Sequence, residues 1–466
     1  MPISRLHYIG RSALMAATAA MNTTGENISN VNSEGYSRRR ITLSSDLAAS
    51  SGYTMGRSLG SGVVVSSYER MRDTLLDRST VEAHSSFAYS QEQYRVLSTV
   101  ESLFPSGTGS LENVVSNFWN AWSDLANNPV DNGVREAVRA AGETLAGTLN
   151  HISSELTRYA GNIETDLNTH VDRANELLAE IGRLNVAIRH AEASGSSDLN
   201  AMDERDRVIK ELADLVPLQL ADTQNGGIRV SVRGHTLVED GNVTPLVLDT
   251  AGAAPVLKLS GTSAQINVSG DGKIGALIDV STTTIPELQT GLDKIAEGFV
   301  KEVNALHANR YDANGVAVLP PAPNFFYYVA GPSEEGISAA DIRVSDEVRA
   351  DATIVGTPGY YTANGQEIAF AIEGLRGAAF AATDNDIAEN FIINLKSRLG
   401  ASIQGANARA GSRAATLDHL NAMTEGVSGV SLDEELAKMI QFQQSYAASA
   451  RVLNSAEEML DILMTL

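Results

Sequence analysis

Apolar residues recur at three- and four-residue steps at both ends of the chain and along much of its middle, the period of helices with one buried face. At the N-terminus Leu14, Ala17, Met21 and Ile28 keep this spacing within an Ala-rich stretch, which predicts an amphipathic helix from Ile3 to about Ile28. Asn27, Asn30, Asn32 and Gly35 end it, because such residues tolerate left-handed backbone and bond their own main chain. At the other end Leu432, Leu436, Met439, Gln443, Tyr446, Ala450, Leu453, Glu457, Leu460 and Met464 follow a heptad in which all but Gln443 and Glu457 are apolar. Such a seam requires a facing helix. Neither terminal helix has a partner nearby in sequence, so each must cover its stripe with the other or with neighbouring copies of the chain. At about 1.5 Å per residue the last helix would span roughly 50 Å and the first roughly 40 Å, so pairing along most of their length is feasible. Isolated amphipathic helices are marginal in water, so both termini are expected to be mobile in the monomer and ordered in an assembly.

Between the termini the period changes twice. Residues 41–70 are rich in Ser and Gly, with one strand-like run at Val63–Val65, and read as an extended arm lying over another surface. Helix is predicted from Met71 to about Glu101. Another begins near Leu111, with Val114, Val115, Phe118 and Trp122 on one side, and is stopped by Asn127-Asn128-Pro129. The longest runs from about Arg135 to His190, where Ile152, Leu156, Ile163, Leu167 and Ala174 stay close to a heptad, and a shorter helix over Met202–Leu215 closes the bundle. Beyond Pro217 the period is two. Ile228–Val232, a turn at Arg233–His235 and Thr236–Val238 read as a hairpin, with further strands at Val256–Leu259, Ile266–Val268 and Ile274–Ile278. Helix resumes from Ile285 to about Asn309. Residues 310–384, with Pro320-Pro321, aromatic Phe325–Tyr328 and weak strands, read as a second insertion. Helix returns from about Ile387 to Met423, and Gly426 and Gly429 precede the final helix.

The fold class expected is α+β: an elongated multidomain chain with terminal helices paired as a coiled coil, a helical-bundle body and β-rich insertions in the middle of the chain. The expected domains are 1–70 (helix and arm, pairing with 427–466), 71–216 (body, with 285–309 and 385–426), 217–284 (β-rich), 310–384 (mixed) and 427–466.

Composition narrows the function. The 466 residues suit two to four domains, and 43% hydrophobic with only 5% aromatic content suits close helix-on-helix packing. A net charge of -22 argues against nucleic acid, whose phosphates require clustered Lys and Arg. The ends differ in sign: residues 1–40 carry five Arg against Glu26 and Glu34, whereas residues 426–466 carry Lys438 and Arg451 against six acids, so the termini should attract. The absence of Cys excludes disulfides, thiolate metal sites and a Cys nucleophile. Arg5 and Arg11 before Ala13–Met21 imitate a secretory signal, but the run is Ala-rich and amphipathic and is read as a retained helix. No apolar run of about 18 residues is present to span a membrane.

Candidate chemistry fails on context. Gly56-Arg57-Ser58-Leu59-Gly60 matches the nucleophile-elbow pattern but sits in the Ser/Gly arm rather than between a strand and a helix. The eight His are scattered, without the four-residue spacing of a zinc helix. Asp312-Ala313-Asn314-Gly315 begins like a calcium loop, but its Gly comes too early. Phe118, Trp119 and Trp122 read as helix core rather than a stacking platform. No catalytic, metal or cofactor site is therefore expected.

Ser12-Ala13-Leu14, Asn22-Thr23-Thr24, Asn27-Ile28-Ser29-Asn30-Val31-Asn32 and Gly35-Tyr36-Ser37-Arg38 resemble the N-terminal signature of the flagellar rod, hook and hook-associated axial proteins. The Tyr36-Ser37-Arg38 ending resembles the hook-associated branch at the hook-filament junction, since rod and hook proteins usually continue with Lys. Leu111-Glu112-Asn113, Asn127-Asn128-Pro129, Asp203-Glu204-Arg205-Asp206 and Gly429-Val430-Ser431-Leu432-Asp433, with Gln443-Gln444 and Tyr446, look like the same family in the same order. Ser29 stands for a commoner Ala and Glu204 for a commoner Gln, and residues 220–280 and 310–384 carry little of the likeness. The resemblance implies a non-enzymatic structural subunit, exported unfolded by the flagellar type III apparatus without signal-peptide cleavage and placed outside the cell at the hook-filament junction. It also implies self-association in a ring or tube, contact with the hook protein and with hook-associated protein 3 on the filament side, and an export chaperone at the C-terminal region. Neither nucleic acid nor membrane is expected as a partner. The alternatives are a hook or rod axial subunit, or a secreted acidic hydrolase or adhesin.

The residues expected to mediate assembly are Leu14, Ala17, Met21, Asn27, Ile28, Asn30, Asn32, Gly35, Tyr36 and Arg38, with Leu432, Leu436, Met439, Tyr446, Ala450, Leu453, Leu460 and Met464. Two readings stay open. The Asn cluster either caps a helix or contacts other subunits, and Arg38-Arg39-Arg40 is either a solvated patch or a partner for acids on the last helix.

Overall fold

Local signals fix where most elements begin. A computed structural model of the chain describes residues 2–33, 35–45, 62–105, 107–252, 254–308, 324–327, 337–356 and 366–465, of which 70% are helical, with several small antiparallel sheets. The first helix, α1, runs Pro2–Ser29 and leads into a hairpin, β1 (Arg39–Ser45) and β2 (Val63–Arg70). Side-chain caps then open the body: Asp73 accepts the Leu75 and Leu76 amides at α2 (Thr74–Ser102), and Ser110 accepts that of Asn113 at α3 (Leu111–Asn127). Asp131 caps α4 (Asn132–Ala193) through the Gly133 amide, and Asp198 caps α5 (Leu199–Leu215) through that of Ala201. Each cap satisfies a backbone donor that a helix start leaves free.

The β-rich segment follows in two antiparallel sheets. Strands β3 (Gln219–Asp222), β4 (Ile228–Val232), β5 (His235–Glu239) and β6 (Asn242–Val243) form one, and β7 (Leu246–Asp249), β8 (Val256–Leu259) and β9 (Gln265–Ile266) the other. The β4–β5 turn places Arg233 and Gly234 at φ 47° and 86°, the paired positive angles that match a hairpin's twist. The strand expected at Ile274–Ile278 is instead helix α6 (Gly272–Asp279), joined through a π-helical turn at Val280–Thr284 to α7 (Ile285–His307). Ile274, Ala276 and Leu277 are all buried, and a run buried on every side has no period to separate strand from helix. Gly275 makes this packing possible, because a Cβ there would lie 2.2 Å from the Val268 carbonyl oxygen.

The described parts of residues 310–384 do not form a core of their own. They comprise β10 (Phe326–Tyr327) with β11 (Arg343–Val344), the short α8 (Asp346–Ala350), α9 (Gln366–Gly374) and β12 (Ala379–Phe380), which pairs with β13 (Asp386–Ile387). Phe325, Phe326 and Phe380 enter the body's aromatic core, where Phe118 lies 6.0 Å from Phe325 and Phe299 lies 5.8 Å from Phe380 between ring centroids. Trp119 stacks on Phe299 at 5.2 Å, and Trp122 is fully buried beside Phe118. Asn304 holds this strand by donating to the Phe326 carbonyl and accepting from its amide, both at 2.9 Å. The Gly56–Gly60 and Asp312–Gly315 segments and Pro320-Pro321 lie outside the described residues.

The chain returns through α10 (Ala388–Ser428), which Arg413 ties to α2 at the Ser86 carbonyl (2.6 Å) and Ser90 hydroxyl (2.7 Å), and ends in α11 (Leu432–Thr465). Helices α1 and α11 pack antiparallel: His7 meets Glu457, Gly10 meets Leu453, Gly25 meets Met439 and Asn27 meets Glu435. The described ends of the arm expected over residues 41–70 are the paired strands β1 and β2, set against α1 where Ser12 accepts the Val63 amide at 3.2 Å.

Candidate assembly site at the paired termini

Four elements converge where α1 ends, and Asn27 is the residue that binds them. Its amide group donates to the Arg39 carbonyl and to Glu435 Oε2, and its Oδ1 accepts from the Arg39 amide and the Tyr36 hydroxyl, at 2.8–2.9 Å. All four hydrogen-bonding positions of a buried amide are thus filled. Tyr36 sits under the Arg39 guanidinium at 5.1 Å, and burial pushes its phenol up to about 12. Gly35 has φ 79°, which lets the chain reverse between α1 and β1 without the strain another residue would carry.

Glu435 is only 1% exposed. Burial acts to raise its pKa, but hydrogen bonds from Asn27 and Lys438 and the charges of Lys438 and Arg38 outweigh it and hold the carboxyl below its ordinary value. Arg38 reaches Glu435 at 3.0 Å and Glu434 at 2.7 Å, so it is the partner of acids on the last helix. Its neighbours differ. Arg39 is buried against Glu26 (3.0 Å), Asn200 (2.6 Å) and Asp203 (3.4 Å), and Arg40 is exposed near Glu69. The solvated-patch reading therefore holds for Arg40 alone.

Asp203 and Asp206 on α5 collect the remaining cations of the hairpin. Arg70 bridges both, at 2.9 and 2.7 Å, and Arg72 binds Asp206 and Asp77. Burial acts to lower the pKa of Arg70, but the two carboxylates more than offset it and leave it raised. Arg205 between them points the other way, to Asn185 and the Gly226 carbonyl, and burial pushes it down to about 10. Asp203 and Asp206 were legible only as part of a family-like block. Their partners lie more than 130 residues away, beyond any local pattern.

The other candidate residues divide. Ala17 is buried, Leu14, Met21, Ile28, Met439, Ala450 and Leu453 are half-buried, and Tyr446 and Leu460 are exposed. Leu432, Leu436 and Met464 are exposed and stand off this seam. The side of α11 turned to α1 carries Glu435, Met439, Phe442, Ser449, Leu453 and Ala456, so alternate heptad positions are shifted by one residue from those expected. The shift takes Gln443 and Glu457 out of the seam and brings in Phe442 and Ala456. Asn30 bonds locally to the Glu26 carbonyl, Ser29 and Ser33, the capping role, while Asn32 is exposed. Both line a cleft of about 1090 Å³ with Gly35, Arg38, Asp206 and Glu425. Among the described residues no group of three or more His, Asp and Glu is arranged to hold a metal, and no helix is long and apolar enough to cross a membrane.

Comparison with known proteins accounts for the arrangement. Models of the flagella basal body rod protein and of the flagellar basal body rod FlgEFG protein C-terminal match residues 8–36 and 426–466, the two helices that pair, which makes the chain an axial protein of the flagellum. The helical domain of flagellar hook-associated protein FlgK matches residues 97–325. Flagellar hook-associated protein 1 of Bacillus subtilis is 29% identical over 97% of this chain and 96% of its own length. That of Escherichia coli is 23% identical over 98% of each. The chain belongs to the family of flagellar hook-associated protein 1. The solved flagellar hook junction protein FlgK of Burkholderia pseudomallei is 22% identical, with a TM-score of 0.47 over 54% of this chain and 47% of that one.

Proposed function

We infer that the chain is a structural subunit of the bacterial flagellum, placed where hook meets filament and assembled through its terminal helices. The observation that carries this reading is the coincidence of the two rod-type matches with α1 and α11, helices more than 400 residues apart in sequence that nonetheless pack together. The hook-associated match over residues 97–325 favours a junction subunit over a rod or hook subunit.

In the assembly the terminal pair forms a coiled coil, and copies of it associate in a ring or tube. The exposed apolar residues of α11, Leu432, Leu436, Ile440 and Met464, are covered there. The body spans residues 71–216, 285–309 and 385–426, with the β-rich segment outermost. The partners are the hook protein on one side and hook-associated protein 3 on the other, with an export chaperone held by the C-terminal region before assembly. Export runs through the flagellar type III apparatus to the cell exterior, and α1 is retained, since its removal would strip α11 of its cover. The role is structural, without catalysis.

Deleting residues 432–466 tests this. The truncated chain should keep the helical content of its body yet fail to restore filament growth in a strain lacking the protein. Filament growth with the truncated chain would refute assembly through the terminal pair.

A further inference from the structure

Among the described residues the terminal pair and its hairpin share no apolar core with the rest of the molecule. Among the described residues the continuous core runs from Val81 to Ala406, and no side chain of α1, β1, β2 or α11 belongs to it or packs against it. What joins the two parts is polar. Two chain crossings are tied by backbone bonds, the Arg38 amide to the Ser428 carbonyl and the Met71 amide to the Arg38 carbonyl. Beyond them stand the arginines. Arg39 and Arg70 are directly opposite each other in the β1–β2 register, where like charges repel. Asp203 lies between them and accepts from both, while Asp206 takes Arg70 and Arg72.

We propose that the terminal pair and its hairpin are docked on the helical body by an ionic clasp, in which Asp203 and Asp206 of α5 hold Arg39, Arg70 and Arg72 and thereby set the angle between the two parts. The four residues at its centre are desolvated, with side-chain exposures of 8% for Arg39, 10% for Arg70, 11% for Asp203 and 14% for Asp206. Desolvated charges hold a geometry firmly while paired, and loss of one partner leaves the others uncompensated. An apolar interface of the same size would tolerate loss of a charge with little change of angle. A clasp of this kind gives the subunit one defined setting and a route to another, because the two parts can part without exposing a core. The inference concerns the single chain and holds whatever the chain assembles with.

The cysteine-free sequence makes the test direct, since engineered thiols are the only labelling sites. Spin labels at exposed Ser455 (S455C, α11) and Thr165 (T165C, α4) of the full chain report the distance between the parts, and a second pair at Asn127 (N127C) and Thr165 (T165C) reports the body alone. Replacing Asp203→Asn and Asp206→Asn together should widen the first distance distribution at least about twofold, the stranded arginines seeking water, and leave the second unchanged. An unchanged first distribution would overturn the clasp. So would equal broadening of both, which would make the acids part of the body's own fold rather than its docking.

Discussion

The body and the terminal pair are both helical, yet they are held in opposite ways. In the body, aromatic rings from α3, α7 and the segments after residue 323 meet in a single closed core, with Phe118, Trp119, Trp122, Phe299 and Phe325 almost fully buried. In the terminal pair the buried positions of α1 are Gly10, Ala16, Ala17, Ala20, Thr23, Thr24 and Asn27, and the most buried positions of α11 are Glu435, Ser449 and Ala456. Small side chains allow close approach but bury little apolar surface, about 25 cal/mol per Å² removed from water. The pair gains its definition from the hydrogen bonds around Asn27 and leaves large apolar side chains outside. The body closes its large apolar side chains into one core, whereas the terminal pair leaves Leu436, Ile440 and Met464 exposed.

The largest effect separating the two regions should come from the body. Trp122→Ala would remove a fully buried ring next to Phe118 and Phe325, at a cost of about 3–5 kcal/mol. Urea unfolding followed by far-ultraviolet circular dichroism should show the body's midpoint falling sharply. A shift no larger than that of a surface substitution would break the contrast, since the aromatic cluster would then not be what closes the core.

Asn27→Ala should act on the other region and less strongly. It removes the hydrogen bonds to the Tyr36 hydroxyl, the Arg39 peptide and one Glu435 oxygen, and with water entering the vacated space the loss is about 1–3 kcal/mol in all. Amide hydrogen exchange should quicken across Ala16–Ser29 and Glu435–Ala450 and stay unchanged across Val138–Leu156. Equal quickening in both regions would mean that they unfold as one unit.

The sequence carries the elements of both regions well and their contacts unevenly. The helical period placed α1, α2, α3, α4, α5, α10 and α11 within a few residues, because caps such as Asp131 and stops such as Asn128-Pro129 act locally. Strand β1 escaped notice because in Arg39-Arg40-Ile41-Thr42-Leu43-Ser44-Ser45 only Ile41 and Leu43 alternate, too short a run to stand out among polar neighbours. The seam of α11 was legible in period and not in phase: Glu435 turns inward where Asn27 and Arg38 join the neighbouring Lys438 in satisfying it, and the first two are about 400 residues away. The same distance in sequence hid Asp203 and Asp206. Of the expected assembly residues, those on the α1 face and at the Asn27–Arg38 turn converge in space, whereas Leu432, Leu436 and Met464 do not join them.

Those outlying residues give the contrast its sharpest test and the smallest effect on the monomer. Leu436 and Ile440 are 51% and 56% exposed and lie one turn apart on the outer side of α11. Leu436→Gln with Ile440→Gln keeps helix propensity and removes no buried contact, so the stability of the isolated chain should stay within about 0.5 kcal/mol of wild type. In the assembled flagellum the same change would place two amides against whatever apolar surface covers this face, where an unsatisfied polar group is costly. Filament growth in a complemented strain should therefore fail while thermal unfolding and hydrogen exchange of the monomer match the parent. Normal growth would show that this stripe stays in water after assembly, and would leave the Asn27 cluster and the ionic clasp as the features of the terminal pair under which its function has to be sought.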